Sequence, residues 1–533
     1  MFHNLILFYY TAKRFFLDNT IYYKYQSNFS RHTKKNFKSI KVNQNKKKIV
    51  LLEYYPNWAS HISFNYLITL LCQKYNSTPI VYLPIQASFL KKILYSLLLK
   101  LNLSHFKILN SYNINNMIVP SSNNFENYKF KKLYSKIKKL KDKSQVVRLK
   151  LYGITVGDLI YDGFLKKYNE YTLDPKNEKF EKYYSSFLKT FLFWYNYIKK
   201  NNVVSVVASH PVYENAVPLR IAYELNKDAF TSSLHFTYRH SKKEFTFNYD
   251  VKNRFKKLNK KEKQNGLILA NKILKKIFAG KRIMQSEVFT LPGSEQRKPI
   301  FQRIKASNKK KQNNNILIAI HSFSDAPHVF GKLIFADHYE WLNFLGKETN
   351  KLRNFNWLLK IHPIYYDKEI NMVKKIMKDF PHIKILPKST THKELINKGI
   401  KFVFSVYGSV VYEYAYFGIP SILASHNHPY KNFRFVKDAK NLKEYKKIIK
   451  NLNILNINFS KKDVLEYCYM RFAKSNKMFN DYTKVADEIG EKIRSPLIYD
   501  KWIKELSESK NKKIIKKYKS FINSKKYRFE YYD

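Results

Sequence analysis

Short apolar runs alternate with helix-length segments along this chain, and the alternation starts twice. The first series opens with Ile49-Val50-Leu51-Leu52-Glu53, a run that reads as a buried strand. Apolar residues at helical spacing follow between Ser60 and Lys74, then a strand at Pro79–Leu83, a helix from Phe89 to Leu101 and a third strand at Phe106–Leu109. A helix over Asn177–Lys200, a strand at Val203–Val207 and a helix over Asn215–Leu225 continue it. The second series runs through strands at Ile316–Ile320, Trp357–Ile361, Ile383–Leu386, Phe402–Ser405 and Ser421–Leu423. Helices are expected between them at Lys368–Lys378, after the capping box Thr391-His392-Lys393-Glu394, and over Val410–Phe417, stopped by Gly418 and Pro420. Strands alternating with helices imply βαβ units and parallel sheets. The fold class is therefore α/β, with two Rossmann-like doubly wound domains facing across a cleft.

At 533 residues the chain exceeds one ordinary core. The lysine- and asparagine-rich stretch Lys309–Asn315 reads as an exposed linker. It divides a first α/β domain with helical insertions (46–308) from a second (309–490). Residues 1–45 form a polar, irregular extension and 491–533 a basic helical tail. Lys and Arg number 99 against 40 Asp and Glu, a formal charge of +59. Lys, Asn, Ile, Phe and Tyr all have A/T-rich codons, and compositional drift is the plainer account of the lysine. The field still attracts phosphates, anionic nucleotides and acidic lipid surfaces. Lysine spread through every segment argues against a dedicated nucleic-acid face. Two cysteines, Cys72 and Cys468, make neither a disulfide framework nor a zinc cluster, which fits a reducing compartment. No apolar stretch is long enough to span a bilayer and no signal peptide is recognisable, so the chain reads as cytoplasmic, or peripheral on the inner membrane.

Twelve glycines supply no G-x-G-x-x-G and no P-loop. A phosphorylated ligand would then rest on helix N-termini and on basic or imidazole side chains. In open parallel sheets ligands bind beyond the carboxyl ends of strands. Lys360-Ile361-His362-Pro363 places an imidazole there, and a turn histidine is its plainer reading. Ser405-Val406-Tyr407-Gly408-Ser409 is a strand end, a tight turn and a helix start. Glu413 lies one turn further, and Ser409 as a simple cap is the plainer reading. His321-Ser322-Phe323-Ser324-Asp325-Ala326-Pro327-His328 follows another strand and suits polar substrate groups better than a metal. Gly153–Asp162 carries Asp158 and Asp162 one helical turn apart, either of them placed to act as a general base. Ser209-His210-Pro211-Val212-Tyr213 is a further strand end, and Arg220 lies two turns into the helix after it.

The spacing of Lys360-Ile361-His362-Pro363, Ser405-x-x-Gly408-Ser409-x-x-x-Glu413 and Gly418-Ile419-Pro420 resembles the donor domain of GT-B glycosyltransferases of bacterial surface polysaccharide assembly. Gly157–Asp162 and Phe323–His328 look like stretches of capsule polysaccharide biosynthesis proteins, a group that includes Kdo transferases, polysialyltransferases and CDP-glycerol polymer synthases. The resemblance covers roughly residues 150–430. It implies a sugar transferred from a CMP- or other nucleotide-sugar to a capsular polysaccharide or lipid-linked glycan acceptor, with no cofactor and no metal. His362 and Pro363 would meet the donor phosphates, as would the turn Ser405, Gly408 and Ser409, with His321 and Ser322 beside them. Glu413 would bind ribose. From its position before a helix Asp158 would be the catalytic carboxylate, with Asp162 and His210 as alternatives. A glycerophosphotransferase or nucleotide-sugar epimerase on the same fold, and a nucleic-acid binder, are the rival readings. The tail from Lys510 to Arg528 carries Ile514, Ile515, Tyr518, Phe521 and Ile522 at helical spacing. That stripe either packs back onto the domains or docks on the inner membrane surface.

Overall fold

Buried β-branched and leucine residues dominate Ile49–Glu53 (β1), and this strand forms the centre of a six-stranded sheet. The computed structural model describes residues 19–37, 48–120, 127–233, 236–242, 251–278, 314–331, 333–362, 367–474 and 495–529. Thr78–Tyr82 (β2) and Met117–Ile118 (β3) lie on one side of β1. Lys150–Leu151 (β4) and Ile154–Thr155 (β5) form a separate hairpin. Val203–Ala208 (β6), Asp228–Ser233 (β7) and Phe236–His240 (β8) complete the other side, in the order β3-β2-β1-β6-β7-β8. All pairs are parallel except β7–β8.

Asn315–Ala319 (β9), Asn356–Lys360 (β10), Ile383–Ile385 (β11), Ile400–Ser405 (β12), Ser421–Leu423 (β13) and Val436–Asp438 (β14) build the second sheet. Its order is β11-β10-β9-β12-β13-β14, parallel throughout. Both sheets therefore have the Rossmann order 3-2-1-4-5-6, and in each the order reverses between the first and fourth strands. These are the two doubly wound units expected of a GT-B arrangement. The capping box at Thr391 and Glu394 is present.

Several expectations are corrected. Phe106–Leu109 lies in a helix, His105–Asn110, and Met117–Ile118 takes the third strand position. A four-residue apolar run has no period of its own, so it cannot distinguish the two conformations. The lysine-rich stretch after residue 125, whose apolar residues at near-helical spacing suggest one amphipathic surface helix, is instead two short helices, Asn127–Tyr134 and Lys143–Val147, with a 3-10 turn between them, and it turns Leu133 and Ile137 into the first core. Within the irregular extension, Tyr23–Phe37 is helical. Its buried stripe is Gln26, Phe29, Ser30 and Thr33, mostly polar, so no apolar period announces it. Val251–Lys256 and Lys260–Phe278 belong to the core of the second unit, packed with Val411, Tyr412 and Tyr467. The chain thus passes from the first unit to the second before Val251, not at 309.

The tail returns. Leu497–Glu505 and Glu508–Asn523 pack on the first unit, with Tyr499 stacked on Phe29 at 4.2 Å and Ile514, Tyr518, Phe521 and Ile522 buried. Its apolar stripe is core, leaving that face no membrane to meet. Among the described residues no helix is long and apolar enough to cross a membrane.

Candidate functional site

The reversal in the second sheet lies between β9 and β12, and two side chains bridge it. Ser405, the last residue of β12, is buried and its Oγ lies 3.2 Å from His321 Nε2, just past β9. The same Oγ reaches the carbonyls of Ala319 (3.1 Å) and Tyr407 (3.0 Å). Tyr407 N–H donates to His321 Nε2 at 3.2 Å, so that nitrogen accepts and the ring is neutral. Burial, then the neighbouring His338 and His362, hold its pKa well below the usual range. Ser405, expected at the donor phosphates, instead fixes the turn and orients His321.

Gly408 follows at φ +129°, and a Cβ there would sit 2.7 Å from His321 Cε1. A left-handed backbone and an occupied space both require glycine. Gly408→Ala is expected to cost about 1–3 kcal/mol, read as a lower denaturant midpoint. Ser409 starts the seven-residue helix Val410–Tyr416 but makes no side-chain cap, and it is exposed. Glu413 is half-buried and raises the Cys468 pKa after burial has already done so, which places it toward helix Lys461–Cys468. Ser322 is half-buried. Pro363 lies outside the described residues.

His338 was not anticipated. It opens helix His338–Thr349, is 1% exposed, and stacks on His321 with ring centroids 5.1 Å apart. Burial first, then His328 and His362, push its pKa down to about 3, so it is neutral. Neither of its ring nitrogens has a hydrogen-bond partner among the described residues, nor does His328 Nε2. Buried polar atoms are normally satisfied, so a group of this kind calls for an explanation. His321 and His338 thus gather as neutral imidazoles at the carboxyl edge, close enough to His362 for it to act on both. No cue short of the third dimension marks His338.

The first sheet repeats the bridge at its own reversal, between β1 and β6. Glu53, the last residue of β1, is 2% exposed, and its Oε2 accepts from Ser209 N–H (2.6 Å) and Ser209 O–H (2.8 Å). Burial raises its pKa to about 7, and the two Ser209 donors only partly offset this. Ser209 Oγ lies 3.0 Å from His210 Nδ1, whose ring meets the edge of Tyr55. Burial lowers the His210 pKa to about 4, and Asp325 of the second unit opposes this. Tyr213, at φ +59°, donates its hydroxyl to Asp325 Oδ1 at 2.8 Å. His210 therefore sits where the two units meet.

The two expected carboxylates do other work. Asp158 is gripped by Arg220 through two bonds of 2.8 and 2.7 Å, a bidentate pair that neutralises it and occupies the guanidinium. Asp162 is fully buried and accepts from His328 Nδ1 (2.6 Å) and His328 N–H (3.1 Å). The Gly157–Asp162 and Phe323–His328 stretches, some 165 residues apart in sequence, thus meet across the unit boundary. Asp337 makes a second latch there, accepting from Tyr161, from Thr172 (2.5 Å) and from Lys143 (3.3 Å). Of the three candidate bases, Asp158 and Asp162 are paired with Arg220 and His328, whereas the His210 ring feels a carboxylate of the other unit. Among the described residues no cluster of three or more His, Cys, Asp or Glu is arranged to hold a metal.

No protein-family model matches the chain, and no curated protein does. Solved structures to which it is similar include a glycosyltransferase from Rickettsia africae, at 12% identity over 85% of this chain and 99% of that one, with a TM-score of 0.26. A UDP-GlcNAc 2-epimerase from Neisseria meningitidis bound to UDP-GlcNAc matches at 10% over 80% and 98%, with a TM-score of 0.23. MurG from Acinetobacter baumannii matches at 10% over 79% and 95%, with a TM-score of 0.24. Scores this low carry no argument, and the fold rests on the strand orders themselves.

Proposed function

We propose that the chain is a metal-independent glycosyltransferase, moving a sugar from a nucleotide-activated donor held by the second unit to a glycan or lipid-linked acceptor on the first. One observation carries this reading. The hydrogen-bonded line Glu53–Ser209–His210 ends at the unit boundary, opposite a cluster of imidazoles at the other sheet's carboxyl edge.

In this reading, with Glu53 ionised, Ser209 donates to it and accepts from His210 Nδ1–H, which leaves Nε2 as the basic nitrogen. His210 Nε2 takes the proton of the acceptor hydroxyl. The freed oxygen pair bonds to the anomeric carbon, and the bond from that carbon to the nucleotide phosphate breaks with its electrons going to phosphate. His321, His338 and His362, with the amides of the Gly408 turn, stabilise the growing negative charge. Glu413 remains the candidate for the ribose. The latches at Asp162 and Asp337 hold the two halves together and exclude water that would hydrolyse the donor.

The test is turnover of CMP-, CDP-, UDP- and GDP-sugars with and without glycan acceptors. Nucleotide released only when acceptor is present supports transfer. Epimerised sugar without acceptor, or transferred glycerophosphate, replaces this reading with another on the same fold. Failure to bind any nucleotide, combined with tight salt-sensitive RNA binding, overturns it. His362→Ala is expected to lower donor turnover about 100-fold without changing the unfolding midpoint; an unchanged rate removes His362 from the site.

A further inference from the structure

The apolar face that the tail hides is matched elsewhere by one that is open. Helix Phe89–Lys100 buries Leu98 and Leu99 in the first core and turns Leu90, Ile93, Leu94 and Leu97 outward, with Leu101 continuing the row. The spacing i, i+3, i+4, i+7, i+11 puts all five on one side. Leu90 is 78% exposed and Leu101 63%. Of the fourteen exposed large apolar side chains among the described residues, six fall between Ile85 and Leu101, so the stripe is a concentration and not the usual scatter.

Charge selects the occupant. Lys91 and Lys100 are exposed beside the row and Lys92 is half-exposed. From residue 54 to residue 125 there are five lysines and not one Asp or Glu, so nothing on this stretch repels an anionic surface. Apolar side chains flanked by lysines on a short helix suit the interface of an acidic bilayer, where leucines enter the acyl boundary and ammonium groups stay among the headgroups. At 12 residues the helix is about 18 Å long, too short to span. We infer that the Leu90–Leu101 face docks this protein on an anionic lipid surface. The helix follows the carboxyl end of β2, on the same edge of the sheet as Glu53 and His210, so docking there brings the acceptor side of the molecule toward the lipid. The docking surface does not depend on the transfer reaction, and vesicle binding and donor turnover fail separately.

Co-flotation of the full chain with phosphatidylglycerol and with phosphatidylcholine vesicles tests it. The chain is expected to float with the anionic vesicles, to stay behind with the neutral ones, and to be released as salt rises from about 0.1 to about 0.5 M. Leu90→Gln/Leu94→Gln/Leu97→Gln should weaken binding about 100-fold, and Lys91→Glu/Lys92→Glu should weaken it on anionic vesicles. Absence of flotation, or equal flotation of the leucine variant, overturns the inference. So does a dimer seen by sedimentation without lipid and lost in the leucine variant, which assigns the face to a second copy. A clearly lower unfolding midpoint for that variant also overturns it, because the face is then covered within the chain.

Discussion

His210→Ala is expected to lower sugar transfer about 10²–10⁴-fold, the usual cost of removing a positioned base. The pH profile separates this from a structural defect. His210 itself has a pKa of about 4, depressed mainly by burial, so it is neutral across the working range. The group that titrates near neutrality is Glu53, raised to about 7 by burial. Tyr55 and Tyr82 border it, Ser209 is its partner, and Asp325 faces His210 from the other unit. Ionised Glu53 accepts the Ser209 proton and so holds His210 in the tautomer with a basic Nε2. Protonated, Glu53 loses that preference. The rate of the native chain should rise with pH through about 7. In Glu53→Gln the side-chain oxygen still accepts but no longer titrates, and the acid limb should move down toward the His210 value. A Glu53→Gln profile with its limb still near 7 removes Glu53 from this positioning role. Linkage has the opposite sign. The folded pKa of Glu53 lies above the ordinary value of 4.5 for such a carboxyl, so the folded state holds this proton more tightly, and its contribution to stability declines as pH rises from about 4.5 to about 7.

His328→Leu is expected to destabilise the chain by about 3–5 kcal/mol, because it leaves the Asp162 carboxylate buried without its partner. Asp162→Leu/His328→Leu should recover most of that loss, since two apolar groups replace a buried polar pair at little net cost. Denaturant unfolding of the single and double variants checks both. Burial works against charging His328, but Asp162 outweighs it and holds the imidazole pKa above its usual value. The contribution of the His328 charge is thus lost as pH rises through its elevated pKa, while burial also raises the Asp162 pKa, so on the acid side the pair is lost when that carboxylate takes up a proton. The gap in midpoint between the native chain and the double variant should narrow on the alkaline side. A gap that widens there contradicts the pairing.

The architecture was legible wherever apolar runs were long and bounded. Ile49–Glu53 appears with the bounds expected, and β6, β9, β10 and β12 lie where their valines, isoleucines and leucines predict. Asp228–Ser233 and Val436–Asp438 were not legible, since their side chains are largely polar and their strand character comes from pairing with neighbours. In the candidate site, strand ends pointed to His210, His321 and Ser405. The partners that decide their roles are distant in sequence. Arg220 claims Asp158 from 62 residues away, His328 claims Asp162 from 166, and Ser209 meets Glu53 from 156. A single glutamate closing an apolar strand was the one visible trace of the relay, because a carboxylate seldom enters a core without a partner.

The route of the chain has a mechanical consequence. It leaves the first unit before Val251, completes the second by Lys474, and comes home to bury Ile514 and Tyr518 beneath the first and to bridge Arg528 to Tyr238. The first lobe is thus built from both ends of the chain and the second from its middle, so any separation of the halves has to be accommodated at two crossings at once.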